Sequence, residues 1–341
     1  MKIIICLLNL HFLIVIAANA QNVGIGTLTP QASLTVAPNR TVLFGADTLN
    51  TGTKMMWLPA KAAFRVGFTG GTVGSDVYWN TENIGLYSFA AGRNTLASGV
   101  NSIAIGRNAI ATGEFATSIG QLTTAQGYGS NAMGNYTSAI GVEATAMGSD
   151  SYAVGNYSTS IGYNTITTGN SSSAFGNRTV ARSFSSTSLG RYNDSIAGSS
   201  KSDWIATDPL FIVGNGLSDG DRRNAFVVYK NGNTDINGFT RLGEQVENAP
   251  KIKMKELSLS SSPDANGQSP INHGLNSSKI ISVSALMEWT PGFFAPIEYS
   301  PDPLLRYNYF ISPTQIIIQN NAANCSYICG KPVKVLITYK E

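Results

Sequence analysis

Between residues 85 and 190 apolar and polar positions alternate in a frame set by glycine. It recurs at every seventh residue from Gly85 to Gly176, gives way once to Ser183 and resumes at Gly190. Within each heptad ending in glycine, the third and fifth positions are nearly always Ser, Thr or Ala, as in Ser102 with Ala104 and Thr137 with Ala139. Alternation of period two over positions three, five and seven predicts a strand with small side chains on one face. The other face carries the bulk. In every second heptad the sixth position is large and apolar (Ile105, Ile119, Met133, Met147, Ile161, Phe175, Leu189). In the intervening heptads the fourth position more often takes that role (Leu96, Ile110, Tyr152, Ile166, Val180). The true unit is therefore fourteen residues, two short strands and two turns.

A heptad period also suggests a coiled coil, but one glycine per heptad costs a helix about 1 kcal/mol each time. Residues 79–198 hold only five acidic and five basic side chains, with no e/g charge pattern. A tandem fourteen-residue unit instead predicts one coil of a thin parallel β-solenoid, with glycine at each corner because a tight turn needs positive φ. Residues 86–190 make seven and a half such coils. At ~4.8 Å per coil they give roughly 36 Å of rod. Gly134, inside the array, is expected to resist substitution more than Gly216 outside it. So slender a roll buries too little core alone, so self-association is expected.

The phrases "NSIAIGRNAIATG" and "SAIGVEATAMGSDSYAVG" resemble the head repeats of trimeric autotransporter adhesins, the YadA-like left-handed parallel β-roll. The resemblance covers about a third of the chain and rests on both the glycine spacing and the Ala-Ile-Gly phasing. It implies a homotrimer whose rolls pack side by side into a surface-exposed head. Which apolar column fills the roll and which meets the neighbouring chain stays open at this level. The family's long heptad stalk and C-terminal membrane barrel are not expected from the residues after the array.

The flanks read differently. Lys2, the apolar run Ile3–Ile16 and Ala18-Asn19-Ala20 predict a secretory signal peptide over residues 1–20, cleaved after Ala20. Residues 21–78 are expected to form an N-terminal β segment. "NVGIGTLTPQASLTV" there resembles a short element of secreted fibre proteins from Bacteroidetes-type bacteria, and Trp57, Phe64, Phe68 and Trp79 are expected to make a small core. The repeats occupy 79–198. A connector over 199–245 resembles the segment that follows such heads, with Asn231-Gly232 as a hairpin turn. Residues 246–341 contain "KIKMKELSL", "KIISVSALMEW", "RYNYFIS", "TQIIIQN" and "KPVKVLITYK". These alternate as strands and predict an antiparallel β-sandwich. The fold class is all-β throughout.

Composition narrows the chemistry. Beyond the signal segment the chain has one histidine, His273, and two cysteines, Cys325 and Cys329. That is too few for a histidine-based triad or a zinc site, so no catalytic, metal or cofactor residues are assigned. The pair in "CSYIC" is a candidate disulfide. A net charge of +3 with scattered basic residues gives no footprint for nucleic acid, and no membrane span is expected after signal removal. Glu82, Glu114, Glu143, Asp150 and Asp194 are too dispersed in the repeat for paired acid–base work. The aspartates of "SDGDRR" read as a polar turn, and His273 as a loop residue. Tyr128, Tyr136, Tyr157, Tyr163 and Tyr192 fall at repeat corners, where tyrosine either stacks on sugars or proteins or covers gaps between coils. Trp289, Phe293, Phe294 and Tyr299, around "WTPGFFAP", form the densest aromatic cluster and are the candidate ligand contacts. The expected function is adhesion to glycans or matrix proteins by a secreted or surface homotrimer. The alternatives are a structural appendage subunit, a carbohydrate-active enzyme or an ice-binding solenoid; no persistent Thr-x-Thr column supports the last.

Overall fold

The computed structural model describes residues 22–46, 51–71, 74–238, 240–241, 251–260, 262–263, 267–296, 306–320, 327 and 329–341. The segment read as a signal peptide lies outside them. The chain divides into two compact units, one ending at Asp235 and one starting at Ile236. Among the described residues the strands form five sheets, two-, fourteen- and seven-stranded before residue 237 and five- and three-stranded after it.

Each fourteen-residue coil supplies one five-residue strand and one two-residue strand. The first pair is Phe89–Arg93 with Leu96–Ala97, the seventh is Ser173–Asn177 with Val180–Ala181, and Thr187–Arg191 follows. Like residues stack on like, for example Ile105 on Ile119 and Gly106 on Gly120. The long strands form the middle of the fourteen-stranded sheet and the short ones the seven-stranded sheet, all parallel within the array. The solenoid of fourteen-residue coils is thus as the periodicity predicts.

Neither apolar column fills the roll. Its interior is Ala, Ser and Thr from positions three and five: Ala90, Ala97, Ala104, Ala111, Ser118 and Thr123 are all wholly buried. Some hydroxyls pair with one another, such as Ser160 to Thr165 at 2.9 Å and Thr165 to Ser151 at 2.8 Å. The large apolar residues of positions four and six point outward.

The glycines also act differently from the expected corner role. The tightest turns, two residues after each glycine, are taken mostly by other residues in the left-handed region, among them Asn101 (φ 57°), Asn108 (φ 53°), Tyr136 (φ 54°) and Tyr157 (φ 58°). That conformation aims each N–H at the coil below, as in Asn108 N to Arg93 O at 2.8 Å and Tyr136 N to Gln121 O at 2.9 Å. Glycine is required because coils stack through it. A Cβ on Gly134 would lie 2.0 Å from the Gly148 carbonyl oxygen, and one on Gly127 would lie 1.9 Å from that of Gly141. Only the alternate series that includes Gly134 adds a positive φ, +123° there. Ser183 is tolerated because the roll ends: the next segment is irregular, and Phe184 N bonds Ser200 O instead of another coil. Gly216 is no freer than Gly134, since its Cβ would meet Tyr192 O at 2.3 Å and Asp221 O at 2.5 Å.

Both ends of the long-strand sheet are extended. Val42–Gly45, Gly52–Leu58 and Ala63–Thr69 precede the first coil, and Pro209–Asn215, Asn224–Tyr229 and Thr234–Ile236 follow the last. The last two are joined by the expected turn at Asn231-Gly232, where Gly232 has φ +87°. At the first end the core is Met56, Leu58, Ala63, Trp79 and Ile84, with Trp79 Nε1 donating to Thr95 O at 2.8 Å. Trp57 and Phe64 do not join it; strand alternation turns them to the outer face beside Phe89. Arg65 enters the roll instead and is wholly buried. It donates to Ser88 O, Ser88 Oγ and Ala97 O at 2.7–2.9 Å. Burial without a carboxylate pulls its guanidinium down to about 10.

The second unit pairs the sheet of Thr240–Arg241, Lys251–Leu259, Val333–Lys340, Ile280–Thr290 and Phe293–Pro296 with a sheet of Gln268–Asn272, Gln315–Asn320 and Tyr307–Ile311. Ala285, Met287, Val335 and Ile337 of the first share one buried cluster with Ile271, Tyr307, Ile316 and Ile318 of the second. It is an antiparallel sandwich built from the expected strands.

Candidate binding surfaces

The longest surface feature of the first unit is a file of side chains on the outer face of the fourteen-stranded sheet. Strand register places Phe44, Met55, Val66, Ala91, Ile105, Ile119 and Met133 in consecutive rows. Met147, Ile161, Phe175, Leu189, Val213 and Phe226 continue it. No polar residue interrupts it. At ~4.8 Å per row it runs about 58 Å. Phe44 and Met55 are exposed and the rest half-buried in the single chain. The neighbouring column behaves otherwise: it is apolar at its ends (Trp57, Phe64, Phe89, Ile103; Phe211, Val228) but polar in the middle, through Thr117, Asn131, Thr145 and Thr159.

The corners present polar and aromatic side chains. Tyr128, Tyr136, Tyr157 and Tyr163 are exposed. Tyr192 is covered: the guanidiniums of Arg178, Arg191 and Arg222 lie 5.4–5.7 Å from its ring. Asp219 bridges Arg178 and Arg222, and Asp221 pairs with Arg223 at 3.0 Å. The aspartates of "SDGDRR" are therefore taken by arginine. His273 is wholly buried, Nδ1 accepting from Leu275 N at 3.0 Å and Nε2 lying 3.1 Å from Ser312 O. Those partners make it a loop-fixing residue with the proton on Nε2. Among the described residues no three His, Cys, Asp or Glu side chains gather as metal ligands.

In the second unit the predicted aromatic loop is a hairpin. Pro291-Gly292 turns it, with Gly292 at φ +82° and its N–H donating to Glu288 Oε1 at 2.8 Å. Phe293 is 61% exposed and Phe294 40%, the latter under Lys334 Nζ at 5.2 Å. Phe294 shares the outer sheet face with exposed Leu286, Leu336 and Met254, interleaved with Glu256, Ser284 and Lys334, whereas strand alternation sends Phe293 to the other side of the hairpin. Tyr299 and the side chain of Trp289 lie outside the described residues. Cys329 is disulfide-bonded, and Cys325 lies outside the described residues.

The YadA head domain repeat (2 copies) matches residues 84–109, 97–123, 119–144, 139–165 and 153–179. Residues 84–179 form a YadA-like head. Heads of this family are trimeric, found at the surface or outside the cell, and typical of non-enzymatic adhesins. No curated protein matches the chain. The apolar file runs past the matched residues at both ends, to Phe44 and to Phe226. No helix among the described residues is long and apolar enough to cross a membrane.

Proposed function

We propose that this protein is an exported, homotrimeric fibre head that adheres to glycans or matrix proteins by multivalent contact. The apolar file from Phe44 to Phe226 carries the reading. A face that long and that regular is stable in water only when covered, and a second and third copy present the complementary surface in the same register. In this account residues 21–78 and 199–245 extend the head at its two ends, and residues 246–341 read the ligand. Phe293 and Phe294, with Trp289 and Tyr299 of the same region, make the contacts, and Cys325–Cys329 closes a small loop nearby. Three weak sites on one particle then give useful avidity without new contacts.

The test is binding of the purified full chain to immobilised glycans and matrix proteins. Binding is expected to fall at least roughly tenfold in the Phe293→Ser/Phe294→Ser variant and to vanish on truncation after Gly243. Full-strength binding by the truncated chain would move the reader to the roll. No binding to any surface would favour a purely structural appendage.

A further inference from the structure

One ridge of corners departs from its own regularity at a single place. Its outermost position is held by Tyr87, Asn101, Phe115, Gly129, Glu143, Tyr157 and so on, one residue per coil. Gly129 keeps the left-handed conformation of the others, φ +62°, but carries no side chain, so a gap opens between Phe115 and Glu143. The residue before it is Tyr128, where the adjoining coils have Glu114 and Val142. The outcome is a shallow, open notch lined by Phe115, Tyr128, Gly129, Asn131 and Glu143.

Its chemistry points to a positive charge. The Phe115 and Tyr128 rings sit 5.4 Å apart at 73°, and both are about half exposed. Rings at that angle form a corner, whereas a sugar ring stacks best on one open face. A compact cation can lie against both π systems together. None of the ion pairs among the described residues engages Glu143. Asn131 Nδ2 donates to Gly129 O at 3.1 Å, which leaves its amide oxygen as an acceptor. Along this ridge stand Glu114 and Glu143, with Arg182 beside its far end, whereas the opposite ridge carries Arg93, Arg107, Arg178 and Arg191 with Asp150.

The same chain already seats a cation in this way. The Lys230 ammonium lies 5.6 Å from the Phe184 ring centre and 5.1 Å from that of Trp204, with Asp208 at 4.0 Å. Two rings and one carboxylate make up that set too, and Phe184 belongs to the same ridge. We propose that the notch of Phe115, Tyr128 and Glu143 binds a compact organic cation, an ammonium of the lysine or quaternary-amine class. This goes beyond adhesion through the C-terminal rings and does not require them.

The experiment is ligand-observed saturation-transfer NMR on the full chain at low salt. Tetramethylammonium serves as the free-cation probe, and Nα-acetyl-lysine methylamide as the probe for a side chain on a basic partner. Saturable binding of at least one is expected, with dissociation constants on the order of millimolar; which probe binds tells the two sources apart. Glu143→Gln should weaken it roughly two- to fivefold. Gly129→Asn should do the same by crowding Glu143, whose Cγ would lie 3.2 Å from the new Cβ, with a residue that Asn101 shows the corner accepts. Circular dichroism and sedimentation should be unchanged in both variants. Binding of neither probe, equal binding by both variants, or preferential binding of methyl glucoside would overturn the assignment. So would a change of assembly in Gly129→Asn, which would place the notch between copies.

Discussion

Four Gly→Ala substitutions separate the two reasons for glycine in this chain. At Gly134 the new methyl would sit 2.0 Å from the Gly148 carbonyl oxygen with φ at +123°. Ordinary contact needs about 3.4 Å, so the next coil must retreat by more than 1 Å at that edge, farther than its ladder hydrogen bonds stretch. Overpacking of this kind costs about 1–3 kcal/mol, the positive φ about 1–2 kcal/mol, and a lost hydrogen bond about 1 kcal/mol. The expected sum is roughly 3–6 kcal/mol. Gly127→Ala meets the same obstruction, 1.9 Å from Gly141 O, at an unstrained φ, and should cost about 2–4 kcal/mol. Gly198 has φ +92° and nothing within 4 Å, so its substitution should cost about 1–2 kcal/mol. Gly220 has neither restriction and should stay within about 0.5 kcal/mol of the parent. Far-UV circular dichroism melts at matched protein concentration give the order. If Gly127→Ala melts no lower than Gly198→Ala, stacking of coils through glycine is not what fixes the period.

Two further expectations concern charge. The Ser88 and Ala97 carbonyls that accept from Arg65 also accept from Phe64 N and Gly85 N, so Arg65→Met removes an unneutralised buried cation without orphaning them. It should raise stability by about 1–3 kcal/mol, and a loss of comparable size would contradict the reading. Because burial lowers the Arg65 pKa to about 10, the folded chain binds fewer protons than the unfolded chain above that pH. Its penalty is full at neutral pH and fades as pH rises above about 10 towards the ordinary guanidinium range. At the other end of the roll, Asp219→Asn leaves three arginines around Tyr192 with a neutral partner. The exposed pairs are worth at most about 1 kcal/mol. The melting difference from the parent should therefore be small at low salt and disappear near 1 M salt; a salt-independent loss would mean that Asp219 acts by packing.

Much of the roll is legible in the sequence because its constraint is local and repeated. Period two within the heptad tells inside from outside, and the spacing alone marks Ile105, Ile119 and Met133 as one column. The sandwich strands are legible for the same reason. What the column does is not: Ala, Ser and Thr already fill the inside of the roll, and that filling belongs to the closed coil and not to any heptad. Turn rules misplace the role of glycine for a related cause. A Cβ on Gly134 conflicts with Gly148, fourteen residues away, whereas those rules consider only adjacent residues. Size alone assigns Trp57 to a core, although Met56 and Leu58 beside it take the inward positions. The Gly129 notch is invisible in the sequence because a glycine among thirty-five draws no notice until its neighbours are seen to carry rings.

The account's central claim is that the file from Phe44 to Phe226 is covered by other copies of the chain. Sedimentation equilibrium on the full chain, beside a Met133→Glu/Met147→Glu variant that puts two charges in the file, tests it directly. The account predicts three times the single-chain mass for the parent and dissociation or loss of folding for the variant. A parent that is folded and monomeric at micromolar concentration, or a variant that assembles as well as the parent, would contradict it.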